Sequence, residues 1–238
     1  VFKQGAVKQN NKIRAVRKAA ARRRSASEQP FYARREKKSM AYFPLFVEME
    51  DRRCLIIGGG KVAFRKAEAM AEYGARVRVI APEVCRELQK FGEEKGEIFL
   101  RKAEPSDAEW AEVVICASDD HQLHEEVFAF CRERNIPVNT ADDKALCTFY
   151  FPALARQKDV VVGISTGGQS PAAARYLREQ IQKQIPAYFG ELAETLGRFR
   201  PLVMEQIGTQ KEREAFFREL LQKGLQQEGH LTWQMVQE

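Results

Sequence analysis

The chain has 238 residues, enough for one core of ordinary size and a smaller second unit. Its net charge of +6 would suit a nucleic-acid binder, but residues 1–39 hold 13 Lys and Arg against Glu28 and Glu36, a surplus of +11 that leaves −5 for the rest. A mildly acidic body argues against reading nucleic acid on a folded face; no apolar run approaches the ~18 residues of a membrane span; and five cysteines without a C-x-x-C pair make neither a disulfide framework nor a zinc site.

Residues 1–39 have too little apolar content to bury and read as disordered. They fit an Arg-rich, acid-poor transit-like peptide, a nucleic-acid arm, or an upstream extension with the working start at Met40; the last is favoured. Reduced thiols point to a cytoplasmic setting.

From Met40 short apolar runs alternate with amphipathic ones. Residues 54–57 read as a buried strand and 61–73 as a helix, ended by Gly74 in the left-handed cap that glycine adopts without a Cβ penalty. Residues 76–80 alternate, Arg76 and Arg78 out, Val77 and Val79 in, as a strand covered on one face. Residues 113–117 are a second apolar strand, 121–134 a helix burying Leu123, Val127 and Phe130, and 136–138 a short strand. Strands and helices taking turns at this spacing specify a parallel sheet with right-handed crossovers. After Asn139 the grammar changes. Residues 148–151 and 160–164 read as strands, separated by a polar turn of Gln157, Lys158 and Asp159. Ser170 and Pro171 open a long helix as N-cap and first helical residue. Beyond Pro186 the period is helical: Phe189, Leu192, Leu196, Phe199 and Val203 form one apolar face, and Phe216, Phe217, Leu220 and Leu221 another. Pro201 is expected to kink or divide this stretch.

Between the first strand and the first helix, Gly58-Gly59-Gly60-Lys61-Val62-Ala63 holds G-x-G-x-x-A. Gly58 allows the tight turn, Gly60 lets backbone approach a pyrophosphate, and Ala63 packs the helix close to the strand. Free N–H groups and the partial positive charge of the helix start favour the anion. A plain tight turn would share the spacing; the flanking strands and helix favour a dinucleotide. No acid stands at the tip of the second strand, but Glu83 lies two residues beyond Ala81 and is placed to reach ribose hydroxyls. No arginine is there for a 2′-phosphate, which favours NAD over NADP. Chemistry belongs beyond the carboxyl ends of the strands, and two polar clusters fall there: Ser118-Asp119-Asp120 and Asn139-Thr140-Ala141-Asp142-Asp143.

At these residues the sequence resembles the siroheme synthase family, the precorrin-2 dehydrogenases and sirohydrochlorin ferrochelatases. The stretches that carry the resemblance are FPLFVEMEDRRCLIIGGGKVAFRKA, CASDD, VNTADDKALCTFYFPA and ISTGGQSPAAARYLRE, in the family's order over residues 42–184. The resemblance implies NAD-dependent dehydrogenation of the tetrapyrrole precorrin-2 to sirohydrochlorin and, in many members, insertion of Fe²⁺ to give siroheme. It carries the essential aspartate onto Asp142 and nucleotide contacts onto Gly58, Gly60, Lys61, Val62, Pro82 and Glu83. It also implies a homodimer in which residues 151–184 interlock between chains. The methyltransferase domain fused to some members is absent, so methylation is expected to be done elsewhere.

Dehydrogenation needs a hydride acceptor and a base, and chelation needs pyrrole protons removed; one carboxylate at the sheet edge serves either step. Asp143 is the rival of Asp142, because adjacent residues on an extended chain point to opposite sides. Ala63, Ser118 and Asn139 complete the candidate cofactor contacts. A substrate ringed with carboxylates needs anion sites, and the loop before Pro171 suits one. Thr166, Gly167, Ser170 and Arg175, with Arg178 in support, are therefore the candidate substrate residues. A simple capping role for this loop at the dimer contact is an equal alternative. His121 and His124 read as solvated residues of a helix start whose acids Asp119 and Asp120 complement its dipole, so no metal ligand is assigned. Cys147 has no base nearby to make it a nucleophile, and Trp110 and Trp233 read as packing.

The expectation is thus an α/β chain. Residues 1–39 are a disordered basic extension, 40–150 a Rossmann-like parallel-sheet NAD-binding domain, 151–185 a small α+β dimerisation segment, and 186–238 a helical C-terminal domain. Two other classes compete. An NAD-sensing regulatory module shares the glycine corner but does not predict VNTADDKALCTFYFPA or the SPAAARYLRE helix. A nucleic-acid binder using the basic arm predicts steeply salt-dependent binding.

Overall fold

A computed structural model describes residues 42–232; the expectations for residues 1–39, Met40 and Trp233 lie outside them. In chain order come β1 (Arg53–Ile57), α1 (Lys61–Ala71), β2 (Arg76–Ala81), α2 (Arg86–Glu94), β3 (Glu97–Leu100), a 3₁₀ turn over Pro105–Trp110, β4 (Val113–Cys116), α3 (His121–Glu133) and β5 (Val138–Thr140). The five strands are parallel in the order β3-β2-β1-β4-β5. The chain winds outward from β1 through β2 and β3, then in the other direction through β4 and β5. The switch point therefore lies between β1 and β4.

Sheet strands covered on both faces read as continuous apolar runs, and Cys54-Leu55-Ile56-Ile57 is buried throughout. Cys54 and Ile56 pack with Ala63, Ala67, Val77, Val79 and Leu88 on one face. Leu55 and Ile57 pack with Val114, Cys116, Val127 and Val138 on the other. Each such aliphatic side chain contributes roughly 1.5–3 kcal/mol when fully buried. Helix α1 stops where expected: Gly74 has φ 79°, its N–H bonds the Ala71 carbonyl at 3.0 Å, and Ala75 N–H bonds Met70 at 3.2 Å. That is a Schellman cap.

Next come β6 (Ala153–Gln157), β7 (Val160–Ile164), α4 (Pro171–Gln184), α5 (Phe189–Gln206) and α6 (Gln210–Gln226). Strands β6 and β7 form an antiparallel hairpin, and α5 packs on α6 with Leu192, Phe199, Val203 and Leu220 buried. All elements from β1 to α6 belong to one compact unit beginning at Pro44. No helix of the described residues is long and apolar enough to cross a membrane.

Four expectations are corrected. Residues 148–151 are not a strand: the Thr148 hydroxyl accepts from Val138 N–H at 2.8 Å and Asn139 Nδ2 donates to the Phe149 carbonyl at 3.0 Å, so side chains tie down this backbone. The strand lies instead at Ala153–Gln157, a run of weak β propensity fixed by its ladder with β7. Helix α5 runs through Pro201 without dividing, and the break falls after Gln206. His124 is not solvated: it is only 5% exposed, on the face of α3 that also buries Val127 and Cys131. Elements α2 and β3 form where the pattern predicted none.

Candidate functional site

The corner after β1 is built by crowding on one side and space on the other. Gly58 has φ 133°, a conformation side chains rarely adopt, and an added Cβ would strike the Ala117 carbonyl. Gly59 is equally constrained, for its Cβ would strike the Glu83 carbonyl; Cys85 N–H also bonds the Gly59 carbonyl at 2.7 Å. This clamps Pro82 and Glu83, both exposed, beside the corner. Gly60 differs: nothing lies within 4 Å of its absent Cβ. It is the N-cap of α1 and supplies no side-chain cap, and no acid sits in the first turn. The first N–H groups of α1 therefore open onto free space, with Lys61 exposed, Val62 half-buried and Ala63 fully buried against the sheet. Such a terminus accepts an anion.

Sheet register brings the other candidates to the same edge. Ile57, Cys116 and Thr140 are side by side on β1, β4 and β5. One layer further on, Ala117 N–H bonds Ile57 (2.7 Å) and Ala141 N–H bonds Cys116 (2.8 Å). Gly58, Ser118 and Asp142 thus emerge from neighbouring strand ends. Ser118 Oγ lies 2.8 Å from His124 Nε2, and burial holds the imidazole's pKa below its ordinary value, against the pull of Asp120. Asp120 caps α3 by accepting from Leu123 N–H.

The two rival aspartates differ in what they already do. Asp143 accepts from Ala145 N–H at 2.8 Å and meets His121 Nε2 at 3.2 Å. The Ala145 bond, followed by the His121 bond, keeps its pKa below the usual carboxylate range despite partial burial. Asp142 is exposed, sits at φ 62°, and makes none of these bonds. Asn139 is buried beneath the loop, with its amide donated to the Phe149 carbonyl and to Cys147 Sγ. Cys147 Sγ also accepts from Thr140 N–H and donates to the Asp143 carbonyl, so it serves the loop as a hydrogen-bonding hub. Lys66 of α1 lies 3.3 Å over the Phe151 ring; burial, aided by Arg65, pulls its pKa down to about 8.

The loop before α4 caps itself. Ser170 Oγ accepts from Ala173 N–H, and Thr166 Oγ1 bonds both backbone groups of Ser170. Gly167 and Gly168 both take positive φ, and Lys144 Nζ donates to the Gly168 carbonyl, joining this loop to that of Asp142. Arg175 lines a shallow concavity at the start of α4 with Pro171, Ala172, Tyr176 and Glu179. Among the described residues no group of His, Cys, Asp and Glu is arranged to hold a metal ion. Gly59, Lys66, His124 and Lys144 were not singled out for these roles from sequence. Only His124 left a signal, its spacing of three and seven from Val127 and Cys131.

A parallel sheet with an uncapped glycine corner at its switch point defines a dinucleotide-binding domain of the Rossmann class. Residues 45–153 match the family described as "Putative NAD(P)-binding", and residues 162–184 match "Sirohaem biosynthesis protein central". The siroheme synthase of Pseudomonas entomophila is 39% identical over 184 residues, 77% of this chain and 40% of that protein. That of Photorhabdus laumondii is 36% identical over 179 residues, 75% and 38%. Over these residues the chain is similar to the siroheme synthases, and it spans about 40% of the length of the curated relatives it matches. The solved structure of SirC, a precorrin-2 dehydrogenase, shares the fold with TM-score 0.64 at 18% identity, over 82% of this chain and 96% of that one.

Proposed function

We propose that the chain oxidises precorrin-2 to sirohydrochlorin with NAD⁺. The observation that carries this is a carboxylate with no structural duty, Asp142, two strand ends from an uncapped helix start. The similarity to siroheme synthases over residues 45–184 and the fold shared with SirC support the choice of substrate. The corner fits a nicotinamide dinucleotide: Gly60 leaves room for a pyrophosphate, and Lys61, Val62 and Ala63 begin the helix whose N–H groups would hold it. Glu83, exposed beside the corner, is proposed to take the ribose hydroxyls, and the lack of an arginine there supports NAD over NADP. Held there by these residues, the nicotinamide would supply the hydride acceptor that dehydrogenation needs.

Asp142 takes the accompanying proton, so the substrate gives up a hydride and a proton together. Its exposure lets it pass that proton to water. Asp143 meanwhile holds the turn through Ala145, and Asn139 and Cys147 keep the loop in shape. Thr166, Gly167, Ser170 and Arg175 are proposed to receive substrate carboxylates. A homodimer in which α4 meets the partner is part of the proposal, supported by the exposed apolar side chains Tyr176 and Leu177 on that helix. Insertion of Fe²⁺ into sirohydrochlorin, with Asp142 receiving displaced pyrrole protons, is the proposed second activity. Five free cysteines, four of them buried, suit a cytoplasmic setting.

The test mixes protein, NAD⁺ and precorrin-2 and follows sirohydrochlorin absorbance. Turnover is expected, lost by ~10²–10⁴-fold in Asp142→Asn with unchanged melting. NAD⁺ binding without turnover would overturn the enzyme reading in favour of a sensor. Adding Fe²⁺ to sirohydrochlorin with and without protein tests the second activity.

A further inference from the structure

Resting on the cofactor reading above, we infer that His124 is a positioning residue for the nicotinamide half of the dinucleotide, acting through Ser118. Ser118 is the second residue past β4, on the far side of the switch point from β2. A dinucleotide laid across that point puts its adenosine half over β2 and its other half over β4. The Ser118 backbone N is 2.9 Å from where a Gly58 Cβ would stand, so this residue borders the corner directly. Its hydroxyl is pinned by His124 Nε2 at 2.8 Å. The imidazole is itself 5% exposed and carried on the buried face of α3.

A neutral imidazole nitrogen either donates to a hydroxyl or accepts from it. In the first case Ser118 keeps its proton for the ligand; in the second it keeps its lone pairs. In both, the hydroxyl is fixed before the cofactor arrives. A free serine rotor would have to be ordered on binding, which weakens affinity. The solvated surface histidine that the sequence suggests would do none of this.

The experiment titrates NADH and ADP, by fluorescence and calorimetry respectively, into wild type, Ser118→Ala, His124→Leu, His124→Gln and the Ser118→Ala/His124→Leu double variant. Ser118→Ala and His124→Leu should each weaken NADH about tenfold, the loss of one good hydrogen bond. The double variant should be no weaker than either single one, because the two residues act as a unit. His124→Gln, which can still reach the hydroxyl, should stay within about threefold of wild type. ADP, lacking the nicotinamide riboside, should bind all of them equally. NADH affinity unchanged in Ser118→Ala or in a folded His124→Leu, or NADH and ADP weakening in parallel, overturns the inference; Ser118→Ala can still overturn it if His124→Leu does not fold. Wild-type protein that binds ADP but not NADH sinks the cofactor reading and this inference with it.

Discussion

The sheet of residues 53–140 and the hairpin with helix α4 bury themselves very differently. In β1, β4 and β5 every residue but Arg53 is buried, and helices of the same chain supply the cover. In α4, of 14 residues, only Ala174 is buried, while Tyr176 and Leu177 stand 62% and 44% exposed. Strand β7 is no better covered: Val160, Val161 and Val162 are all half-buried. A parallel sheet closed by its own crossovers is complete within one chain. An antiparallel hairpin with one helix on it has a second face to satisfy, and large exposed apolar side chains on such a face mark an interaction surface. The contrast is what a nucleotide domain joined to a segment shared between two copies would look like.

The sharpest way to break the first half of this contrast is in the glycine corner. Gly59→Ala sets a Cβ against the Glu83 carbonyl, backbone on backbone. It should cost ~3 kcal/mol or more in urea unfolding, the upper end for overpacking, and abolish NADH binding with the fold. Gly60→Ala meets nothing within 4 Å; stability should move by less than about 1 kcal/mol, yet NADH affinity should fall at least tenfold as the methyl fills the space over the helix start. Equal damage from the two would reduce the corner to an ordinary tight turn.

The second half is tested on α4. Leu177→Asp places a charge on the face proposed to meet a partner, and should weaken self-association by roughly 2 kcal/mol. Sedimentation should then show a monomer at concentrations where wild type is dimeric, with NADH binding intact. Wild type should also melt at a temperature that rises with protein concentration. A wild-type monomer at every concentration would mean that the exposed face of α4 serves something else.

This division also governs how much could be read in advance. Strands β1, β2 and β4 and helices α1 and α3 were legible because burial on a closed sheet imposes bulk and period on nearly every residue. The corner was legible because φ and close approach leave glycine no substitute at Gly58. Strand β6 was not, since Ala-Leu-Ala-Arg-Gln owes its conformation to β7 across the turn, a non-local cause. Residues 148–151 misled in the opposite sense, their β-branched and aromatic content serving side-chain contacts such as Phe149 against Phe151, with ring centroids 5.4 Å apart. Helix α2 hid behind charge: Leu88 and Phe91 are its only buried residues. In the site, Asp142 was singled out by resemblance, whereas its freedom and the engagement of Asp143 are visible only in three dimensions.

A smaller effect separates those two aspartates. Asp143→Asn should lower the melting temperature at pH 7 where Asp142→Asn does not, because only Asp143 has native partners to lose. Its folded pKa is depressed by the Ala145 N–H and then by His121. Its contribution is therefore full above the unfolded carboxylate range near ~3.9 and is lost as pH falls through the lower folded value. The wild-type advantage over Asp143→Asn should vanish in that acid window.

The smallest effect sits at the junction of the two regions, where Lys66 of α1 covers the ring of Phe151, two residues before β6 begins. Two forces oppose each other there. Burial disfavours the ammonium, with Arg65 adding to it, and pulls the pKa down to about 8 from the usual 10.5; the ring attracts the cation by ~0.5–1 kcal/mol at an exposed site and more when desolvated. If burial wins, the unfolded chain binds the extra proton between about pH 8 and 10.5, so stability must rise with pH across that window. Lys66→Met would then be about 1 kcal/mol more stable than wild type at pH 7, with the gap closing as pH approaches 10. If the ring wins, the folded pKa lies above the unfolded value, wild-type stability stays flat from about pH 8 to 10, and Lys66→Met is the weaker protein at pH 7. Urea midpoints at pH 7, 8, 9 and 10 separate the two. We expect the rising curve, because a cation half-withdrawn from water loses more hydration than one aromatic face returns.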